Sequence, residues 1–113
     1  MQGMMIFRWS GGRTGREVEV MKFGDESDAY FAGLKGEGKI EGYEWIANFT
    51  GSDHDMFVVR GDPQALAAIA MSREGGSLIM KGNLLLEDWH WDWAVAGDTV
   101  DEVYPGWRQL VGA

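Results

Sequence analysis

His90 lies between two aspartates in the stretch Leu84–Val95, which reads L-L-L-E-D-W-H-W-D-W-A-V. Polar and aromatic residues alternate there, which predicts one long β-strand with Asp88, His90 and Asp92 on the same face. Residues two apart on one strand face lie about 7 Å apart, which suits the lining of a pocket but not a direct hydrogen bond. Because an imidazole and a carboxylate can act as general acid and base, we take His90 and Asp92 as candidate catalytic residues and Asp88 as a candidate ligand contact. The alternative is that this face is only a polar rim.

The opposite face of the same predicted strand carries three of the chain's six tryptophans, Trp89, Trp91 and Trp93. A row of indole rings can stack on a planar ligand, and we take Trp91 as a candidate ligand contact. Aromatic rows in strands more often pack in a core or an interface, because each ring removes a large area from water. Packing is therefore the interpretation that we favour for this face.

The chain's second histidine lies in the run Asp53-His54-Asp55, within a polar stretch that predicts a hairpin loop. Together with His90 this run suggests a metal site. Zinc requires three or four converging ligands, and calcium or magnesium requires a cage of oxygens. The run satisfies neither requirement by itself, so we expect no metal and no cofactor.

Charged residues interrupt two otherwise apolar strands and a third that alternates, at Arg8, Arg60 and Glu44. A charge is costly to bury unless it is paired, so such residues indicate either an ion pair across the sheet or a polar pocket. Arg8 and Glu44 are the candidates for ligand contacts in such a pocket.

The hydrophobic pattern predicts four strands, at Met4–Trp9, Ile40–Phe49, Met56–Arg60 and Leu84–Val95. The first and third of these are apolar at both odd and even positions, which is typical of a strand that is covered on both faces.

Three helical regions separate or follow these strands. The first is predicted to begin at a capping box formed by Thr14 and Glu17, to break at Gly24 and to end near Gly36. The second begins where Asp62 caps the helix and Pro63 takes its first position, and a new segment starts at Ser72.

The third helical region follows the last strand. Thr99 and Glu102 have the spacing of another capping box, and Pro105 predicts a kink. Val100, Val103 and Trp107 would lie on one face of this helix.

The composition places limits on the partners of this chain. Its 113 residues fit one domain, residues 1–113. The chain has 18 acidic and only 10 basic residues, and the basic residues are scattered, so we expect it to bind neither nucleic acid nor an anionic membrane surface. The absence of cysteine fits a reducing compartment, so we expect a cytoplasmic protein. Neither an export signal nor an apolar run of roughly 20 residues indicates a membrane.

The order strand–helix–strand–strand–helix–strand predicts a ferredoxin-like α+β sandwich, in which two helices cover one face of a four-stranded antiparallel sheet and an extra helix follows at the C-terminus. The two-sided apolar strands then require cover on the other face. A second copy supplies that cover most economically, so we expect a homodimer in which two sheets face each other.

Two segments carry a resemblance to known proteins: Leu34–Glu44 reads L-K-G-E-G-K-I-E-G-Y-E, and Phe57–Asp62 reads F-V-V-R-G-D. With these segments followed by a helix, the chain resembles the dimeric α+β barrel superfamily. It is most similar to an uncharacterised small bacterial branch related to YCII-like and antibiotic-biosynthesis-monooxygenase-like proteins. The resemblance covers most of the chain and implies the fold and dimerisation, but not a reaction. The chain departs from the branch at Gly75-Gly76 and in its tryptophan-rich fourth strand.

Haem-degrading members of this superfamily use an asparagine, a tryptophan and a histidine. The resemblance therefore makes Trp45 and Asn48 candidate ligand contacts, beside His90.

Two hypotheses of function remain open at this stage. The first is a small dimeric protein that binds an apolar or aromatic small molecule in a cavity between its sheet and the partner. The second is a cofactor-independent oxygenase or isomerase of the same superfamily, in which His90 acts as acid and base.

Overall fold

The computed structural model describes residues 2–51 and 53–112. It contains six strands and four helices, in the order β1 Gly3–Trp9, β2 Gly11–Gly12, α1 Glu17–Gly36, β3 Gly42–Ile46, β4 Asp55–Gly61, α2 Pro63–Met71, α3 Arg73–Leu85, β5 Leu86–Glu87, β6 His90–Val95 and α4 Asp98–Val111.

Four of the strands form one antiparallel sheet in the order β3-β4-β1-β6. This is the ferredoxin-like strand order, so the predicted fold class is confirmed. The two strands with apolar residues at both parities, β1 and β4, occupy the centre, and the tryptophan-rich β6 lies at an edge. Beside this sheet, β2 and β5 make a two-stranded ladder that was not predicted.

The hydrophobic core lies between the sheet and the helices α1, α2 and α3. The sheet contributes Met5, Phe7, Phe57 and Val59, which alternate along β1 and β4 and are almost wholly buried. The helices α1 and α2 contribute Phe31, Leu34, Leu66, Ile69 and Ala70, and Ile40 joins them from the segment before β3. The core thus covers one face of the sheet, which we call the helix face; the other is the open face.

The second helical region follows its predicted boundaries closely. The carboxylate of Asp62 accepts hydrogen bonds from the backbone N–H groups of Gln64 and Ala65, at 3.0 and 3.2 Å. The hydroxyl of Ser72 likewise accepts from the N–H of Gly75 and begins α3. Both caps satisfy donors that have no partner within their own helix.

The first helix corrects the prediction at its start and its middle. No side chain caps α1, and Glu17 instead accepts a hydrogen bond from the backbone N–H of Gly15 at 3.0 Å. The helix continues through Gly24, since the burial of Ser27, Phe31 and Leu34 outweighs the roughly 1 kcal/mol that a helical glycine costs. Its end near Gly36 is as predicted, and Gly38 makes the turn with a φ of 75°.

The predicted long strand Leu84–Val95 is wrong as one continuous element. The helix α3 extends to Leu85, and only β5 and β6 are strands, with Asp88 and Trp89 between them. Asp88 has a φ of 53°, a left-handed conformation that no regular strand contains. The chain therefore turns at Asp88 and enters the edge of the main sheet at His90.

Arg13 supports the ladder that precedes this turn. Its guanidinium donates hydrogen bonds to the backbone oxygens of Leu84 and Asn83 at the end of α3, at 2.7 and 3.2 Å, and to Glu87 at 3.4 Å. These contacts satisfy carbonyl groups that the helix itself leaves without partners.

The last helix, α4, is predicted correctly in position but not in its cap. The hydroxyl of Thr99 does not cap the helix; it accepts a hydrogen bond from the backbone N–H of Gln2 at 2.7 Å. Thr99 is buried, and its neighbours along α4 are exposed, with Trp107 at 65%. Within the described residues, no helix combines the length and the apolarity that crossing a bilayer requires.

Candidate functional site

A cavity of about 150 Å³ lies between the sheet and the helices α1 and α3. Its wall is formed by side chains of both helices, including Val20, Ser27 and Ile79, and by seven aromatic rings: Phe7, Trp9, Phe23, Phe31, Trp45, Phe57 and Trp89. The strand alternation places the rings of β1, β3 and β4 on the helix face, where they meet those of α1. We refer to this space as the aromatic cavity.

The rings around the aromatic cavity hold one another in place. Trp45 lies 4.2 Å from Phe57 between ring centroids, and Trp9 meets Trp45 edge-on at 6.3 Å. Phe7 stacks on Trp89 at 5.5 Å. The indole N–H of Trp45 donates a hydrogen bond to Asp28 at 2.9 Å, which fixes the orientation of the ring.

No titratable side chain is among the described residues that line the aromatic cavity. Ser27 supplies a hydroxyl, and nearly all of the remaining surface is hydrocarbon or aromatic. The cavity is thus suited to a neutral, apolar molecule and offers no acid or base for chemistry.

The open face of the sheet has a different character. Apolar side chains run along its centre, and Val58 is only 2% exposed although no helix of the core covers this face. Ion pairs flank that centre: Arg60 contacts Glu44 at 2.6 Å, and Arg8 contacts Asp92 at 3.4 Å. Of the two alternatives that the sequence left open, the structure has ion pairs across the sheet, and all four charged side chains remain partly exposed.

Both histidines of the chain meet at one end of the open face. His54 comes from the loop before β4 and His90 from the first position of β6, and their rings lie 5.5 Å apart between centroids. Asp88 lies between them. One of its oxygens is 2.6 Å from Nε2 of His54, and the other is 3.1 Å from Nε2 of His90. We call these three residues the His–Asp–His cluster.

The contact between Asp88 and His90 corrects the expectation that they lie too far apart for a hydrogen bond. That expectation assumed a regular strand. The left-handed backbone at Asp88 breaks the strand and turns its carboxylate towards both imidazole rings. Non-glycine residues adopt this conformation at a cost, and such residues are frequent at functional sites.

The electrostatics of the cluster follow from its hydrogen bonds. The hydrogen bond with Asp88, and after it the one with Asp53, raises the pKa of His54 above its ordinary value. The same contact with His54 lowers the pKa of Asp88, and the backbone N–H of His54 lowers that of Asp53. Hydrogen bonds therefore stabilise both carboxylates as anions, chiefly from the His54 side chain at Asp88 and from the His54 backbone at Asp53.

The residues selected from the sequence fall into separate places. Trp45 lines the aromatic cavity, whereas Trp91 lies beside it, stacked on Phe7 at 6.1 Å. Asn48 lies in the β3–β4 loop, where its side-chain oxygen accepts from the N–H and hydroxyl of Thr50. The other selected residues, Arg8, Glu44, Asp88, His90 and Asp92, lie on or beside the open face.

Sequence reasoning missed the aromatic cavity, because it looked for a cavity between the sheet and a partner. The signal was the alternation that puts Phe7, Trp9, Trp45 and Phe57 on one face of the sheet. Sequence reasoning also did not predict that His54 lies beside Asp88. The signal there was that a chain with only two histidines has aspartates next to the first and flanking the second.

Comparison of sequences finds no matching protein family and no matching curated protein. Comparison of structures does find similar proteins. A dimeric ferredoxin-like protein of unknown function from Jannaschia sp. CCS1 has a TM-score of 0.66 at 11% identity, and the match covers 85% of this chain and 100% of that one. A further dimeric ferredoxin-like protein of unknown function, from Thermobifida fusca, has a TM-score of 0.62 at 12% identity, covering 85% and 92%.

This chain shares the ferredoxin-like fold of these proteins. A candidate antibiotic biosynthesis monooxygenase from Chloroflexus aurantiacus shares it, with a TM-score of 0.53, 14% identity and coverage of 86% and 96%. The resemblance to the α+β barrel superfamily that Leu34–Glu44 and Phe57–Asp62 indicated is therefore confirmed for the fold. Identities this low carry no activity from these proteins to this chain.

Proposed function

We propose that this protein binds a small, neutral aromatic molecule in the aromatic cavity and acts as a homodimer. The observation that carries the proposal is the cavity of about 150 Å³ whose wall contains seven aromatic side chains. An apolar cavity of about this volume in another protein stays dry and binds benzene, so a ligand with one ring matches the space. Ring edges and faces of the wall can then contact the ligand in stacked or edge-on geometry.

The dimer is supported by the open face of the sheet. Its apolar surface consists of Ile6 and Met56, which are half-buried, and Ile46, which is exposed, and it is flanked by the oppositely charged pairs Arg60–Glu44 and Arg8–Asp92. A surface that carries both signs of charge around an apolar centre can be complementary to a second copy of itself across a two-fold axis. The neighbours from Jannaschia and Thermobifida are described as dimeric, which favours the same arrangement here.

The alternative of an acid–base enzyme has less support from the geometry. His90 and Asp92 lie on the open face, whereas the aromatic cavity lies on the helix face of the same sheet. A substrate in the cavity would be separated from both residues by the sheet. Binding is therefore the function that we propose, and catalysis by His90 would require a second ligand position on the open face.

The binding proposal is tested by NMR of the six tryptophan indole N–H groups during titration with p-cresol. Trp9, Trp45 and Trp89 line the cavity, and their signals should shift in a saturable way. Trp107 is 65% exposed on α4, so its signal should stay in place. Benzoate serves as a charged comparison and should bind far more weakly, because its carboxylate would find no partner in the cavity.

A matched pair of variants locates the binding site. Val20→Phe adds a ring at the wall of the cavity, whereas Val18→Phe makes the same change at a position that is 69% exposed on the same helix. We expect Val20→Phe to abolish the saturable shifts and Val18→Phe to retain them, with circular dichroism confirming that both variants fold. Equal shifts of all six indole signals, or unchanged binding by a folded Val20→Phe protein, would refute the proposal.

A further inference from the structure

The two histidines of this chain are far apart in sequence and adjacent in space. His54 and His90 are the only histidines among 113 residues, and both direct Nε2 at the carboxylate of Asp88. Each residue of the cluster offers one donor atom that lies within 4.8 Å of the other two. Two imidazoles and one carboxylate converge in this way in many sites for transition metals.

We infer that His54, Asp88 and His90 form a binding site for a divalent first-row transition metal ion, with zinc as the representative. Zinc binds imidazole nitrogen and carboxylate oxygen at about 2.0–2.2 Å, which places tetrahedral donors roughly 3.4 Å apart. The two imidazole nitrogens lie 2.6 and 3.1 Å from different oxygens of Asp88, and one donor atom of each residue lies within 4.8 Å of the other two. An ion at this position replaces the two hydrogen bonds and widens these separations towards roughly 3.4 Å.

The surroundings of His54 favour this assignment. Its Nδ1 lies 3.2 Å from a carboxylate oxygen of Asp53, and the same oxygen accepts the backbone N–H of His54 at 2.7 Å. A carboxylate on the far nitrogen of a ligating histidine orients the ring and directs the other nitrogen to the metal. Asp53 is therefore a positioning residue: it orients the ring of His54 and so directs Nε2 to the metal position.

The composition of the site selects the class of ion. Calcium and magnesium prefer sites built from oxygen ligands, whereas imidazole suits zinc, iron, nickel and copper. Three protein ligands leave at least one position for water or a small anion. The side chains of Asp88 and His90 are 56% and 45% exposed, so that position is accessible from solvent.

The inference is tested on untagged full-length protein that has been treated with a chelator and then titrated with Co²⁺ and Zn²⁺ at fixed pH. We expect one ion per chain, a visible Co²⁺ absorption band, and displacement of Co²⁺ by Zn²⁺. In NMR, the imidazole signals of both histidines should shift together at this stoichiometry. Since the chain has only these two histidines, their signals report on the cluster alone.

Variants separate this site from general binding to an acidic surface. Loss of the hydrogen-bond partner of a ligating histidine costs roughly 10- to 100-fold in metal affinity, so Asp53→Asn should lower the affinity by about that amount. His54→Ala, His90→Ala and Asp88→Asn should each lower it by more. Asp92→Asn removes the same charge from the same strand face outside the donor set, and should leave the affinity unchanged.

Two results would overturn the inference: no Zn²⁺ or Co²⁺ binding at millimolar concentration, or equal affinity in the wild type and both histidine variants. The second result would show that the ion binds through the net charge of −8 rather than through the cluster. Neither result bears on p-cresol in the aromatic cavity, because the cluster contributes no residue to its wall.

Discussion

The backbone conformation of Asp88 determines the geometry of the His–Asp–His cluster. Its left-handed backbone ends β5, re-aims the chain into β6 and turns one carboxylate to two imidazoles. Sequence alone placed Asp88 and His90 on the same side of the chain, and this is correct. It could not show their hydrogen bond, because alternation predicts a regular strand and gives no sign of a single residue with positive φ.

The ionisation of His54 leads to a prediction at this scale. In metal-free protein, its pKa in the folded state should lie above the ordinary value of about 6.5, because Asp88 and Asp53 stabilise the imidazolium. The resulting stability is fully present below pH 6.5 and is lost as the pH rises through the folded pKa. The depressed pKa of Asp88 contributes stability above its ordinary value near 3.8, which is lost as the pH falls through the folded pKa.

NMR titration of the two imidazoles in the presence of a chelator measures this pKa directly. Asp88→Asn should lower the pKa of His54, while Asp92→Asn, which changes the charge without contacting His54, should alter it far less. A pKa of His54 at or below 6.5 in the wild type would contradict the prediction.

At the scale of elements, the start of a helix was predicted best where one side chain acts on its own neighbours. Asp62 and Ser72 each cap within three residues, so the local sequence is sufficient. The box of Thr14 and Glu17 failed, and the hydroxyl of Thr99 bonds instead to Gln2, 97 positions away in sequence. A partner brought by the tertiary structure decides the case of Thr99, whereas Glu17 accepts from the neighbouring N–H of Gly15.

The junction of α2 and α3 gives a prediction for Gly75. A Cβ at this position would overlap the backbone oxygen of Ile69, which cannot move without disturbing the end of α2. Gly75→Ala should therefore destabilise the fold by about 1–3 kcal/mol, as overpacking generally does. This exceeds the roughly 1 kcal/mol that alanine gains over glycine in a helix.

Gly33→Ala is the matched control, because it lies within α1 and a Cβ there meets no atom within 4 Å. It should leave stability unchanged or raise it by up to about 1 kcal/mol. Urea unfolding of both variants measures the difference. A Gly75→Ala protein as stable as Gly33→Ala would show that the two helices can separate at little cost.

At the scale of the whole molecule, the sheet divides two candidate sites from each other. The aromatic cavity lies on the helix face, and the His–Asp–His cluster lies at one end of the open face. The open face also carries the surface proposed for the second copy. A ligand in the cavity and an ion at the cluster therefore share no contact residue, and Trp89 of the cavity wall, which lies between Asp88 and His90 in the chain, connects the two sites.

The dimer proposal predicts a mass of twice 12.6 kDa by light scattering at micromolar concentration. Ile46 is 39% exposed on β3 and lies opposite Met56 on the open face. Ile46→Glu should shift the population to monomer, because the added carboxylate would lie in the apolar part of the interface without a partner. Val18→Glu, at an exposed position of α1, should leave the dimer intact. A monomeric wild-type protein would contradict the dimer proposal.

The sequence by itself determined the order of the helical regions and of the four strands of the main sheet, the central position of β1 and β4, and the face on which their residues lie. These follow from periodicity and local caps, which act over a few residues. Only the tertiary structure decided where the cavity opens, that the stretch Leu84–Val95 turns at Asp88, and that His54 meets His90. Those features depend on contacts between residues distant in sequence, and alternation can assign a face to a side chain without saying what lies across from it.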